Sequence, residues 1–113
     1  MEKERTVIVE RIAVVIEASN KARRALREAE TVYERFAHRI QNGSSVHDAF
    51  TTLRVGELRR DVHDNLEALE QARFETRQAI IALGVSEGLS LGELARMWGL
   101  SRQLINRIAK HGR

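Results

Sequence analysis

Residues 91–113, LGELARMWGLSRQLINRIAKHGR, hold two short amphipathic segments on either side of a glycine. Leu94, Ala95, Trp98, Leu100, Ile105 and Ile108 fall where a helix, a sharp corner and a second helix would all turn inward onto one small core. Ala95 sits where two helix backbones would approach closely, which favours a small side chain. Gly99 follows the last turn of the first segment, where the chain often needs a positive φ that glycine accepts without steric cost. The corner is then Gly99-Leu100-Ser101. Ser90, with Glu93 three residues on, makes a capping box for the first helix, and Ser101 can cap the second.

In Ala95, Gly99, the apolar set and the polar run Ser101-Arg102-Gln103, the stretch Leu91 to Lys110 resembles the bacterial helix-turn-helix of phage repressors, Cro-type regulators, resolvases and sigma-factor C-terminal regions. The resemblance implies a recognition helix from Ser101 to about Lys110, lying in the major groove of double-stranded DNA with its N-terminal side chains at base edges. The residue types point the same way. Arg102, Gln103, Asn106 and Arg107 project opposite Leu104, Ile105 and Ile108, and arginine reads guanine while glutamine or asparagine reads adenine. Ser101, Arg102, Gln103, Asn106 and Arg107 are therefore the expected base readers, with Arg96, Lys110 and Arg113 on phosphates. After Glu93 the chain has no acidic residue, which leaves a patch of one sign. The plainer alternative is a solvated polar face whose basic last turn suits the helix dipole, in a helix-turn-helix kept for protein contacts.

A chain of 113 residues is one domain, or a small domain with an extension. It has no cysteine, which excludes a disulfide framework and thiolate metal sites, and no proline, which leaves it free to form long helices. The opening run MEKERTVIVERIAVVIEAS mixes acids into its apolar residues and reads as neither a signal peptide nor a membrane span. A soluble cytoplasmic protein, associated with the nucleoid and not with membrane, is expected. The net charge of +3 is modest, but its distribution is uneven. Residues 1–40 carry nine bases against seven acids, 41–84 five against seven, and 85–113 five against two.

Working back toward the N-terminus, Ile8, Ile12, Val15, Ser19, Ala22, Leu26, Ala29, Tyr33, Phe36 and Ile40 alternate in steps of four and three, which predicts one long helix packed along a seam, thinnest at Ser19 and Ala22. Residues 6–16 are rich in valine and isoleucine, so a strand there is the alternative. Gln41-Asn42-Gly43-Ser44-Ser45 is a break, and Ser45 with Asp48 marks the next helix start. That helix runs from Val46 toward Leu83. Val46, Phe50 and Leu53 share one face, while Val62, Leu66, Leu69, Arg73, Thr76, Ile80 and Leu83 follow a later register, so a bend or short break is expected near Gly56. Phe74 to Leu83 would support the two terminal helices from beneath through Ile80, Ile81 and Leu83, and Gly84 would end it.

The expected fold is all-α, with a long antiparallel helical hairpin over residues 1–72 and a three-helix unit carrying the helix-turn-helix over 73–113. Val7, Val9, Val14, Ile16 and Val32 lie off the seam and would be costly in water, so the hairpin is expected to dimerise through residues 8–69. A two-fold dimer would present two recognition helices about 34 Å apart, one turn of DNA.

His38, His47, His63 and His111 are scattered without ligand spacing, and no nucleophile elbow, phosphate loop or metal motif appears. No enzyme activity, cofactor, metal or small-molecule ligand is inferred. The cluster Lys21, Arg23, Arg24 and Arg27 reads as a solvated helix flank before it reads as a phosphate contact. The function expected is a small dimeric, sequence-specific transcriptional regulator. The alternatives are a nucleoid-type architectural DNA-binding protein and a non-catalytic interaction subunit of a phage or recombination complex.

Overall fold

The computed structural model describes residues 2–111, with side chains through residue 110. Among these the chain is all-helical: α1 (Glu2–Gln41), α2 (Val46–Thr52), α3 (Val55–Ser86), α4 (Leu91–Trp98) and α5 (Arg102–His111). It divides into two compact units, one formed by Ala18–Leu69, the other by Met1–Glu17 together with Glu70–Arg113. No helix among the described residues is long and apolar enough to cross a membrane.

Residues 6–16 are helical despite their branched side chains. Nothing in the stretch breaks a helix, and Arg11 within it and Arg5 just before it reach α3 and the turn after it in the same unit. Arg5 donates to Glu87 at 2.6 Å and Arg11 to Glu75 at 3.3 Å, so α1 rises as α3 descends. Both pairs are exposed and each contributes little alone. The Ser86 hydroxyl also donates to the Glu4 carboxylate at 3.1 Å, holding Glu4 below the usual carboxylate range.

The single seam expected on α1 divides into two. Ala22 and Ala29 are buried, and Ile8, Val15 and Phe36 are half-buried, but Ile12, Leu26, Tyr33 and Ile40 are exposed. Ala18, Ala25 and Val32 join the inward side instead. The buried line thus follows positions 8, 15, 18, 22, 25, 29, 32 and 36, with alanines at its middle. Of the two positions expected to thin it, Ser19 is half-buried and Ala22 is buried, and the line is deepest at Ala22, Ala25 and Ala29, because small side chains let a neighbouring backbone come close.

After α1, Gly43 turns the chain at φ +90° and the Ser45 hydroxyl accepts from the Asp48 N–H at 3.0 Å, opening α2 as its serine predicts. The break into α3 falls at Leu53-Arg54, ahead of Gly56, and Arg54 takes a left-handed φ of 55°. The inward residue of α2 is Ala49, fully buried, not the expected face, because Val46 and Phe50 are exposed. The corner then turns Val55 and Leu58 inward as α3 begins. Further along α3, Leu66 and Arg73 are exposed, so its later register is only partly an inward face.

Gly84 does not end α3. The helix continues through Ser86, and the left-handed glycine is Gly88, at φ +96°. There the Leu89 N–H reaches the Gly84 carbonyl at 2.9 Å and the Gly88 N–H reaches Val85 at 3.0 Å, the paired bonds that close a helix C-terminus. Gly84 is glycine for a packing reason: a Cβ there would lie 3.0 Å from Leu94 Cδ2 and 3.4 Å from Leu89 Cδ1.

Candidate nucleic-acid interface

α4 and α5 are held in place by one small core. Phe74 and Ile81 of α3, Leu94 and Ala95 of α4, and Ile105 and Ile108 of α5 are buried together, with Leu89, Leu91, Trp98, Leu100 and Leu104 packed around them. Ile80 is half-buried, Leu83 is buried, and Phe74 takes a place in the core that the sequence reading had not assigned.

Backbone and caps fix the angle between the two helices. The Ser90 hydroxyl accepts from the Glu93 N–H at 3.1 Å, and Ser101 accepts from Leu104 at 3.0 Å. Between them Gly99 adopts φ +71°, while the Leu100 N–H bonds the Ala95 carbonyl at 3.0 Å. A side chain at position 99 would meet nothing within 4 Å, so glycine is required here by the backbone angle alone. On the far side Gln78, part-buried on α3, donates its amide to the Ile108 carbonyl at 3.4 Å, a cross-link from the supporting helix to the last turns of α5. Its signal in the sequence is a lone amide just before the apolar run Ala79-Ile80-Ile81.

With Ile105 and Ile108 anchored inward, α5 turns Arg102, Gln103, Arg107 and Lys110 to solvent and leaves Asn106 half-buried. These five positions run for about 12 Å along one side of the helix, at 1.5 Å per residue. Ser101 stands exposed at their head; its oxygen accepts from Leu104 as the helix cap, which leaves its hydroxyl hydrogen and one lone pair for an outward partner. Arg96 is exposed on α4 with Nη1 beside Gly92. Arg113 lies outside the described residues. Among the described residues no carboxylate comes within ion-pair distance of Arg96, Arg102, Arg107 or Lys110. The arrangement can donate hydrogen bonds and positive charge to an extended polyanion, with glutamine and asparagine amides interleaved to read a donor and acceptor pattern.

Elsewhere in the same unit Val15, Arg73, Thr76, Arg77 and Trp98 line an open cleft of about 170 Å³. Among the described residues no group of three His, Cys, Asp or Glu could hold a metal ion. His47 pairs with its neighbour Asp48 at 3.4 Å, and His38 lies 3.0 Å from the Asn42 amide; both contacts are exposed. No protein-family model, no curated protein and no solved structure matches the chain.

Proposed function

We propose that the protein is a dimeric, sequence-specific DNA-binding protein of the bacterial or phage regulator kind, with α4 and α5 as its helix-turn-helix and α5 as the recognition helix. The observation that carries this reading is the division of α5. Ile105 and Ile108 are buried, while Arg102, Gln103, Arg107 and Lys110 form an exposed, basic face without an acidic partner among the described residues. Capped helix starts and the Gly99 corner hold that face in a defined orientation, as groove reading requires. Arg102, Gln103, Asn106 and Arg107 approach base edges, with Ser101 at the helix start; Arg96 and Lys110, and Arg113 beyond the described residues, approach phosphates.

Selection of binding sites from random duplexes tests this reading. A palindromic motif with two half-sites one helical turn apart is the expected result. Arg102→Ala and Arg107→Ala should each cost about 1–3 kcal/mol on the selected site and relax base preference where the arginine reads. Lys110→Ala should weaken all sequences alike and flatten the salt dependence by about one contact. Selection that yields no motif, with affinity unchanged in the arginine variants, defeats the reading. A second reading, an interaction subunit that works through its helical surface, draws on the exposed apolar residues of α1 and α2; a partner captured after nuclease treatment and by the Arg102→Ala variant favours it.

A further inference from the structure

Within the unit formed by Ala18–Leu69, charge is unevenly divided along the chain. Residues 18–41 carry six bases against three acids, and residues 42–69 three against five. The excess gathers in the stretch Asn20 to Arg27, NKARRALR, which has four bases and no acid. There α1 buries Ala22 and Ala25, with Ala29 a turn further on, and this turns Arg23, Arg24 and Arg27 outward, all three exposed. With Asn20 they line an open hollow of about 420 Å³. Arg23 Nη2 donates to Asn20 Oδ1, which holds that guanidinium in place and leaves most of its donor fork for an outside partner.

Elsewhere the arginines of this chain find carboxylates: Arg5, Arg11, Arg54 and Arg73 each pair with one. Among the described residues none comes within ion-pair distance of Arg23, Arg24 or Arg27, although Glu28 stands four residues beyond Arg24 and Glu30 three beyond Arg27. Like charges one turn apart on a helix repel, so the cluster is a cost to α1 that no acid of the described residues relieves. We infer that it is a second contact for double-stranded DNA, one that holds the phosphate backbone without reading bases. The inference rests on the DNA reading above for its partner and adds a surface in the other unit. Charge complementarity names that partner. Arg23 and Arg27 stand four residues apart, about 6 Å along the helix, and a DNA strand carries one charge per about 3.4 Å of its axis, so the cluster spans successive phosphates. All three side chains are arginine, whose planar fork grips a phosphate through two hydrogen bonds where lysine offers a point charge. A lipid surface suits the cluster less, because no large apolar side chain stands among the residues lining the hollow to enter a bilayer.

Arg23→Ala, Arg24→Ala and Arg27→Ala are combined in one full-length chain, with circular dichroism confirming that α1, whose buried alanines are untouched, stays helical. Fluorescent duplexes of the selected site and of unrelated sequence are then titrated over a range of salt. On both, the slope of log affinity against log salt should become shallower by about 2–3, one phosphate contact for each guanidinium removed, while the preference for the selected site is kept. Arg23→Lys, Arg24→Lys and Arg27→Lys together should keep most of the slope, because the charge remains. Arg60→Ala, which takes an exposed arginine from α3 of the same unit, should leave it unchanged. A slope that does not move in the alanine variant, or that moves as much per charge in Arg60→Ala, overturns the inference while the DNA reading stands. So does a loss confined to binding of phosphatidylcholine–phosphatidylserine vesicles, which assigns the cluster to a lipid surface. If site selection yields no motif but salt-dependent duplex binding weakens in the alanine variant, base reading by α5 fails and this contact holds. A wild-type chain that binds no duplex overturns both.

Discussion

In the unit containing α4 and α5, the fully buried side chains include Ile81, Leu94, Ile105 and Ile108, the largest so buried among the described residues. In the unit formed by Ala18–Leu69 the deepest positions are Ala22, Ala25, Ala29 and Ala49, joined by Val55 and Leu58. Burial of a leucine or isoleucine side chain contributes about 1.5–3 kcal/mol, and an alanine methyl about 0.8 kcal/mol. The first unit therefore has its own source of rigidity. The second gains close backbone approach but less apolar area, and in its part of α1 Leu26, Tyr33 and Ile40 stay outside while Val32 and Phe36 are half-buried.

Ile105→Ala, at a position with 0 % exposure, should give the largest effect, a loss of about 2–5 kcal/mol in denaturant unfolding. A loss under about 1 kcal/mol would mean that the terminal core collapses onto the cavity and is softer than the comparison holds. Ala25→Leu sharpens the other side. If the alanine line marks close approach, the added methylenes overpack it and cost about 1–3 kcal/mol; a gain in stability would show spare room there. Ser101→Ala should cost about 1 kcal/mol, with faster amide exchange concentrated at Leu104 and the first turn of α5.

The smallest effect is a pH dependence at the exposed end of α1. Glu4 has its folded-state pKa lowered by the Ser86 hydroxyl, so its contribution is complete above the ordinary carboxylate range and is lost as pH falls through the lowered value. Ser86→Ala should move the Glu4 carboxyl titration, followed by NMR, upward toward the ordinary value. An unmoved titration would show that this hydrogen bond does not pin the helix end.

The all-helical character, the turn at Gly43, the corner at Gly99 and the capping serines Ser45, Ser90 and Ser101 were legible because each depends on residues within four positions of one another. So was the inward set of α4 and α5, where two apolar stripes and one glycine leave few ways to pack. Three features were hidden by distance in sequence. The pairing of Arg5 and Arg11 with Glu87 and Glu75 brings the first turns of α1 into the terminal unit, yet each arginine taken alone is an ordinary surface residue. The split of the α1 seam was obscured because positions four apart, such as Ile8 and Ile12, fit one stripe as well as two neighbouring ones. The corner at Arg54 lacks the glycine that marks the other turns, and Gly56, two residues away, drew the expected break toward itself. Around α5, the exposure of Arg102, Gln103, Arg107 and Lys110 followed from periodicity; the half-burial of Asn106 and the Gln78 bond to Ile108 depend on how α3 crosses beneath.

The missing side chain at Gly84 works as a slot into which the Leu94 methyls drop, close enough that a Cβ there would lie 3.0 Å from Leu94 Cδ2, and it indexes α4 against α3. Because Gly99 and Ser101 transmit the position of α4 to α5, that notch also sets the height at which the guanidinium groups of Arg102 and Arg107 stand above the scaffold. A single hydrogen atom in place of a methyl, some twenty residues upstream of those arginines, is thus part of the instrument's calibration.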